Sequence, residues 1–132
     1  MLPLPPTRQS SVSFFNISLI WFGLSFLWGG VLPVLLPLKV LSALPETGRG
    51  TYLAVVTIVG ALIAVLWQPV AGWAGDHLRS GWGRRRPFVL AGTAVAAPAI
   101  LVLSVATSPL GIAVAFLIVQ LGANTVQAAA QA

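Results

Sequence analysis

No charged side chain lies between Arg8 and Lys39, between Arg49 and Asp76, or anywhere after Arg86. That spacing constrains the chain more than any other feature. A membrane-crossing helix needs about 20 apolar residues at a rise of about 1.5 Å each. Each of the first two charge-free stretches accommodates one such helix. The third is too long for one and accommodates two joined by a tight turn. Only 7% of the residues are charged and 58% are apolar, whereas a soluble domain carries roughly 25% charged residues. So few charges cannot cover a water-facing surface. A soluble bundle would also show polar faces at helical spacing, and the long stretches have none. A secretory leader has an apolar core of about 7–15 residues. Here the first apolar stretch runs from Phe14 to Leu38 and more spans follow. The fold class expected is therefore all-α integral membrane, with about four transmembrane helices.

The organisation follows from the punctuation. Residues 1–13 form a polar tail with Pro3, Pro5 and Pro6. Residues 14–132 form a transmembrane bundle, with spans expected at about 14–38, 51–73, 87–107 and 110–132. Gly29, Gly30 and Pro33 predict a bend in the first span; such residues are tolerated where neighbouring helices satisfy the freed backbone groups. Residues 39–50 read as a first connecting loop. Gly60 and Ala64 form a small-xxx-small pair in the second span, and Pro69 kinks its last turns. A loop at 74–86 follows. Pro87 opens the third span, where its missing N–H costs nothing, and Ser108-Pro109 supplies the turn into the fourth.

The net charge of +5 raises the question of nucleic acid. Arg79, Arg84, Arg85 and Arg86 all sit between two spans, and the bias of basic residues toward cytoplasmic loops explains them. The 74–86 loop and the N-terminus are then cytoplasmic. The natural partners are the lipid bilayer and its anionic headgroups, with no nucleic acid. No cysteine is present, which excludes disulfides and thiolate metal sites. One histidine and two acids leave little for catalysis, so the chain is not expected to be an enzyme or to hold a metal or cofactor.

The informative stretch is Trp67 to Phe88, WQPVAGWAGDHLRSGWGRRRPF. Gly72 and Gly75 permit close packing at the inner end of the second span, and Asp76 follows. A carboxylate is stabilised beside a helix N-terminus and makes strong contacts with arginines. Asp76 facing Arg84, Arg85 and Arg86 is therefore a candidate latch that forms in one conformation and breaks in another. The bland reading is a helix cap and a set of topology markers.

This stretch resembles the loop between helices two and three of the major facilitator superfamily. Gly72 and Asp76 match the first half of that pattern, and Gly83, Arg84 and Arg85 match the second. The long spacing from Asp76 to Gly83, the preceding Gln68-Pro69 and the ending through Arg86-Pro87 look like the branch of sucrose–proton symporters and glycoside–pentoside–hexuronide cation symporters. The resemblance implies a fold of about twelve helices in two halves, each built from inverted three-helix repeats. It implies a secondary transporter that moves a small solute, such as a sugar, by alternating access, together with a coupling cation or proton. The chain would be an N-terminal part, with the remaining helices of the parent as partners. A cell-membrane location with several crossings follows.

Two departures bear on mechanism. His77 stands where many relatives carry a basic residue. The fourth span carries Asn124, Gln127 and Gln131, and no acidic residue to support proton coupling. Candidate cavity-lining residues are Asn16, Ser18, Ser25, Asn124 and Gln127. The competing expectations are a non-transporting member of the superfamily, such as a pigment-handling or assembly factor, and a small self-contained four-helix oligomer. The latter usually keeps an acid in its first span, and Phe14 to Leu38 has none.

Overall fold

The computed structural model describes residues 11–77 and 86–131, with side chains at 14–75, 77 and 86–131. These residues are helical apart from two short breaks. The first rod is α1 (Ser11–Gly30), a π-helical turn (Val31–Leu35) and α2 (Leu36–Ala43). It is followed by α3 (Glu46–His77), α4 (Arg86–Val105) and α5 (Pro109–Gln131). Among the described residues, four helical segments are long and apolar enough to cross a membrane: Phe14–Ala43, Glu46–Gly75, Arg86–Val105 and Pro109–Gln131.

Where a bend is expected, at Gly29 to Pro33, the helix passes into the π turn. Pro33 has no N–H for the Gly29 carbonyl, and its ring would press on that group. Widening the helix by one residue per turn relieves both. Pro37 then sits in the first turn of α2, where a missing donor is harmless.

The first connection is much tighter than the loop expected at 39–50. α2 continues to Ala43, Leu44 is extended at φ −123° and ψ 148°, and α3 begins at Glu46. Leu44 precedes Pro45, which disfavours a helical conformation there. Arg49 closes the corner. Its Nε donates to the Leu44 carbonyl at 2.8 Å and its Nη2 to the Leu41 carbonyl at 2.9 Å. Those carbonyls are orphans of the end of α2, and a cation there also opposes the negative end of the helix dipole. The Arg49–Glu46 contact at 3.9 Å involves a Glu46 side chain 92% exposed and contributes little.

α3 is 32 residues long, about 48 Å at the α-helical rise. It continues beyond Trp73, so Asp76 belongs to its last turn rather than to a following loop. At the other connection Ser108 caps α5. Its Oγ accepts the Gly111 N–H at 3.1 Å, which satisfies one orphan donor.

α5 is the central helix. Half of its apolar window is buried, against 11–22% for the other three spans. Leu36, Val56, Leu103, Ile112, Ala115 and Phe116 form one core against it, and Leu24, Ala123 and Val126 form a second. The α4–α5 contact is the closest. A Cβ on Gly92 would lie 2.6 Å from the Gly122 carbonyl oxygen, and a Cβ on Gly122 would lie 2.7 Å from the Gly92 oxygen. The two backbones touch there because neither residue has a side chain. The neighbours alternate in direction. Tyr52 of α3 donates to the Pro109 carbonyl at one end, while Gly75 approaches Phe88 at the other. Large apolar side chains such as Phe22, Phe26, Leu101 and Val105 remain more than two-thirds exposed, as befits a chain whose solvent is lipid.

Replacing Gly122 with valine is expected to destabilise the bundle by about 1–3 kcal/mol, the usual cost of overpacking. A Cβ on Gly23 meets nothing within 4 Å, so Gly23→Ala serves as the neutral comparison. Thermal unfolding in detergent micelles should show a lowered midpoint for the first and an unchanged one for the second.

Candidate functional site

Five uncharged polar side chains meet where α3 crosses α5. Gln68 Nε2 donates to Asn124 Oδ1 at 3.1 Å. Asn124 Nδ2 in turn donates to the Gln120 carbonyl at 2.8 Å and to Gln120 Oε1 at 3.1 Å. One position along each helix, Trp67 Nε1 donates to Thr125 Oγ1 at 2.8 Å. That hydroxyl passes its own proton to the Leu121 carbonyl at 2.7 Å. Adjacent residues of α3 thus bond adjacent residues of α5, making a two-bond rung across the seam.

The rung exists because of helical spacing. Gln120, Asn124, Gln127 and Gln131 recur at intervals of four, three and four, which aligns them on one face of α5. Gln120 and Asn124 are buried at 6% and 2% exposure; Gln127 is half-buried and Gln131 exposed. An amide in an apolar setting must find partners, since leaving it bare costs far more than a hydrogen bond gains. Every buried side-chain nitrogen and oxygen described has one.

Gly60 makes the cluster possible. A Cβ there would lie 2.8 Å from both Gln120 Nε2 and Phe116 Cε1, so glycine lets α3 and α5 approach within amide reach. Close approach was expected both at Gly60 and at Gly72 and Gly75, and α5 makes it at Gly60. At Gly72 a Cβ would meet nothing within 4 Å, and at Gly75 it would meet the Phe88 ring at 3.8 Å, an ordinary contact.

The remaining expected residues are distributed as follows. Pro69 is exposed within α3, directly after the rung. Asp76 and His77 end that helix, and His77 Nδ1 lies 2.9 Å from the Trp73 carbonyl, with its ring against Trp73. Arg86 and Pro87 open α4. Gly83, Arg84 and Arg85 lie outside the described residues, as does the Asp76 side chain. Asn16 lines a pocket together with Arg86 and Ala129. Ser18 and Ser25 are exposed on α1. The structure therefore joins Gln68 of the loop motif to Asn124 of the cavity candidates, and places Arg86 and Asn16 on the lining of one pocket. It does not bring Asn16, Ser18 or Ser25 to the rung.

Sequence reasoning missed Gln120, Trp67 and Thr125. Gln120 was signalled by its place four residues before Asn124. Trp67 and Thr125 carried no signal that alternation or spacing would reveal, because their pairing depends on the α3–α5 register.

These features define a multi-pass α-helical membrane protein whose second and fourth spans are joined by a polar seam. The chain belongs to the family of MFS/sugar transport proteins, which it matches over residues 49–131. It is 34% identical over 86 residues to a membrane-associated transporter protein of Homo sapiens, covering 65% of this chain and 15% of that protein. The corresponding mouse protein is 33% identical over 73 residues, covering 55% of this chain and 13% of that protein. A sucrose transport protein of Arabidopsis thaliana is 26% identical over 99 residues, covering 75% and 19%. The chain thus spans less than a fifth of the length of these relatives. No solved structure matches.

A double-mutant cycle on Gln68→Leu and Asn124→Leu should return a coupling of about 0.6 kcal/mol, typical of hydrogen bonds between membrane helices. Equilibrium unfolding in mixed micelles measures it. Each single variant should cost more than the pair implies, because each leaves an amide unpaired.

Proposed function

We propose that the protein is a secondary active transporter of a small solute, with sugars as the substrate class. It works by alternating access, in the cell membrane, with the N-terminus in the cytoplasm. The observation that carries this reading is the family match across residues 49–131, which covers α3, α4 and α5. A relative whose name specifies sucrose transport supports the choice of sugar. The basic residues Arg79, Arg84, Arg85 and Arg86 support the orientation through the positive-inside rule.

In this reading the motif from Gln68 to Pro87 is the inner gate. Gly72, Gly75 and Asp76 lie on the inner end of α3, and Gly83, Arg84, Arg85, Arg86 and Pro87 lead into α4. The Asp76 carboxylate pairs with the arginines in one conformation and releases them in the other. A charge-assisted contact that forms in one state alone shifts the balance between two states by its own free energy. Asn16, Asn124 and Gln127 offer uncharged donors and acceptors to a neutral, hydroxyl-rich solute. Such a solute needs hydrogen-bonding groups without net charge. A coupling cation or proton supplies the driving force, bound by residues outside this chain.

Uptake of radiolabelled sucrose into proteoliposomes holding the full-length gene product tests the reading. Asp76→Ala should slow uptake by about tenfold, equivalent to ~1.4 kcal/mol, at an unchanged level of inserted protein. Unaltered uptake in that variant removes Asp76 from the gate. A parent protein that takes up no sugar above empty vesicles removes the substrate class.

A further inference from the structure

We propose that the cleft between α1 and α4 binds one anionic phospholipid, with its phosphate on Arg86 and Asn16 and an acyl chain along the floor that α5 supplies. The proposal goes beyond the transporter reading and does not depend on transport.

Two continuous cavities carry it. The first has a volume of about 300 Å³ and lies among Asn16 and Ile17 of α1, Arg86 of α4, and Ala129 and Ala130 of α5. It stands at the end of the bundle where α1 and α4 begin and α5 finishes. The second, of about 290 Å³, starts at Ile20 and Val89, which line both cavities, and runs along the same helices to Leu27 and Ile100. Its floor is low because its residues are small: Gly23, Ala96, Ala97 and Ala123 all line it. A Cβ on Gly23 would meet nothing within 4 Å. Among its described lining residues Thr93 alone has a polar side chain.

The polarity of this groove runs in one direction. A guanidinium and an amide stand at one end, and an apolar channel leads away from them. That is the complement of an amphiphile with an anionic head. A guanidinium takes a phosphate in a bidentate contact, and basic pockets between membrane helices on the cytoplasmic side suit anionic headgroups. An acyl chain gains little by exchanging bilayer for an apolar groove. Selectivity therefore resides in the Arg86 contact, and the groove supplies the fit.

The length of the groove separates a lipid chain from a further helix as its occupant. From Val89 to Ile100 it extends about 16 Å at the α-helical rise, close to half of a hydrocarbon core about 30 Å thick. Beyond Leu27 it closes. Val31 and Leu36 of the first rod join one core with Leu103 of α4 and Ile112 of α5, and none of the four is more than 4% exposed. A spanning helix would need a groove of full depth; one leaflet's acyl chain needs half.

A phosphatidylglycerol with a diazirine midway along one acyl chain tests this, in the full-length gene product held in phosphatidylcholine vesicles. Peptide mapping after illumination locates the labelled residues. Labels are expected on residues 19–27 and 89–100. They should exceed by about fivefold those left by a phosphatidylcholine with the same diazirine chain, the ratio one basic residue supplies at a membrane surface. Arg86→Gln should bring the two lipids to one level, and Arg86→Lys should keep most of the difference. Gly23→Leu combined with Ala97→Leu should remove the labels from the groove. The same variant should keep the labels on Leu101 and Val105, which are 68% and 73% exposed; their persistence shows that the bundle is intact. Equal labelling of the groove by both lipids in the unaltered protein overturns the proposal. So does a groove without labels, which assigns it to another segment of the parent protein.

Discussion

The backbone contact between Gly92 and Gly122 organises the bundle. Where lipid surrounds the helices, burying apolar surface against another helix gains little over leaving it in the bilayer. Close van der Waals packing and interhelical hydrogen bonds must supply the adhesion. Two facing glycines let α4 and α5 touch along their backbones, which places α5 at the centre of the structure. From that position it presents one face to α4, a second to α3 and a third to α1. The core residues Ile112, Phe116 and Val119 are fully covered as a result.

The second adhesive is polar and sits on the α3 side. Gly60 brings α3 close enough for Gln68 to reach Asn124 and for Trp67 to reach Thr125. An amide network in an apolar environment is strongly directional, since every misaligned partner leaves a bare group. Such a network fixes register as well as distance. Beyond Pro69, α3 continues with the small residues Ala71, Gly72, Ala74 and Gly75, of which Ala71 is buried.

Of the five side chains in the polar seam, Gln68 and Asn124 were legible from residue type and position in the sequence. The Gln68-Pro69 to Pro87 motif has a fixed order, and its position between charge-free stretches places it at a membrane surface. The amide stripe on α5 was half legible: Asn124, Gln127 and Gln131 stand out in an apolar run, and Gln120 shares their face. The partners were not legible. Whether Asn124 meets a solute or another helix depends on which face α3 covers, and no periodicity within α5 encodes that. The length of the first connection escaped for a similar reason. Lys39, Glu46 and Arg49 look like loop residues because they are charged. Arg49 instead folds back onto the carbonyls of Leu41 and Leu44, a use of charge that only the three-dimensional corner reveals.

By itself the sequence determined that this chain is a set of four membrane-crossing helices and that its arginines cluster between the second and the third. Hydrophobic length and the cost of burying charge are properties of a segment, and they need no knowledge of its neighbours. The tertiary structure decided which glycines are contacts, which polar residues pair and where α3 is held. Those outcomes depend on distances of a few tenths of an ångström between helices far apart in the chain, set by the register in which α3, α4 and α5 pack.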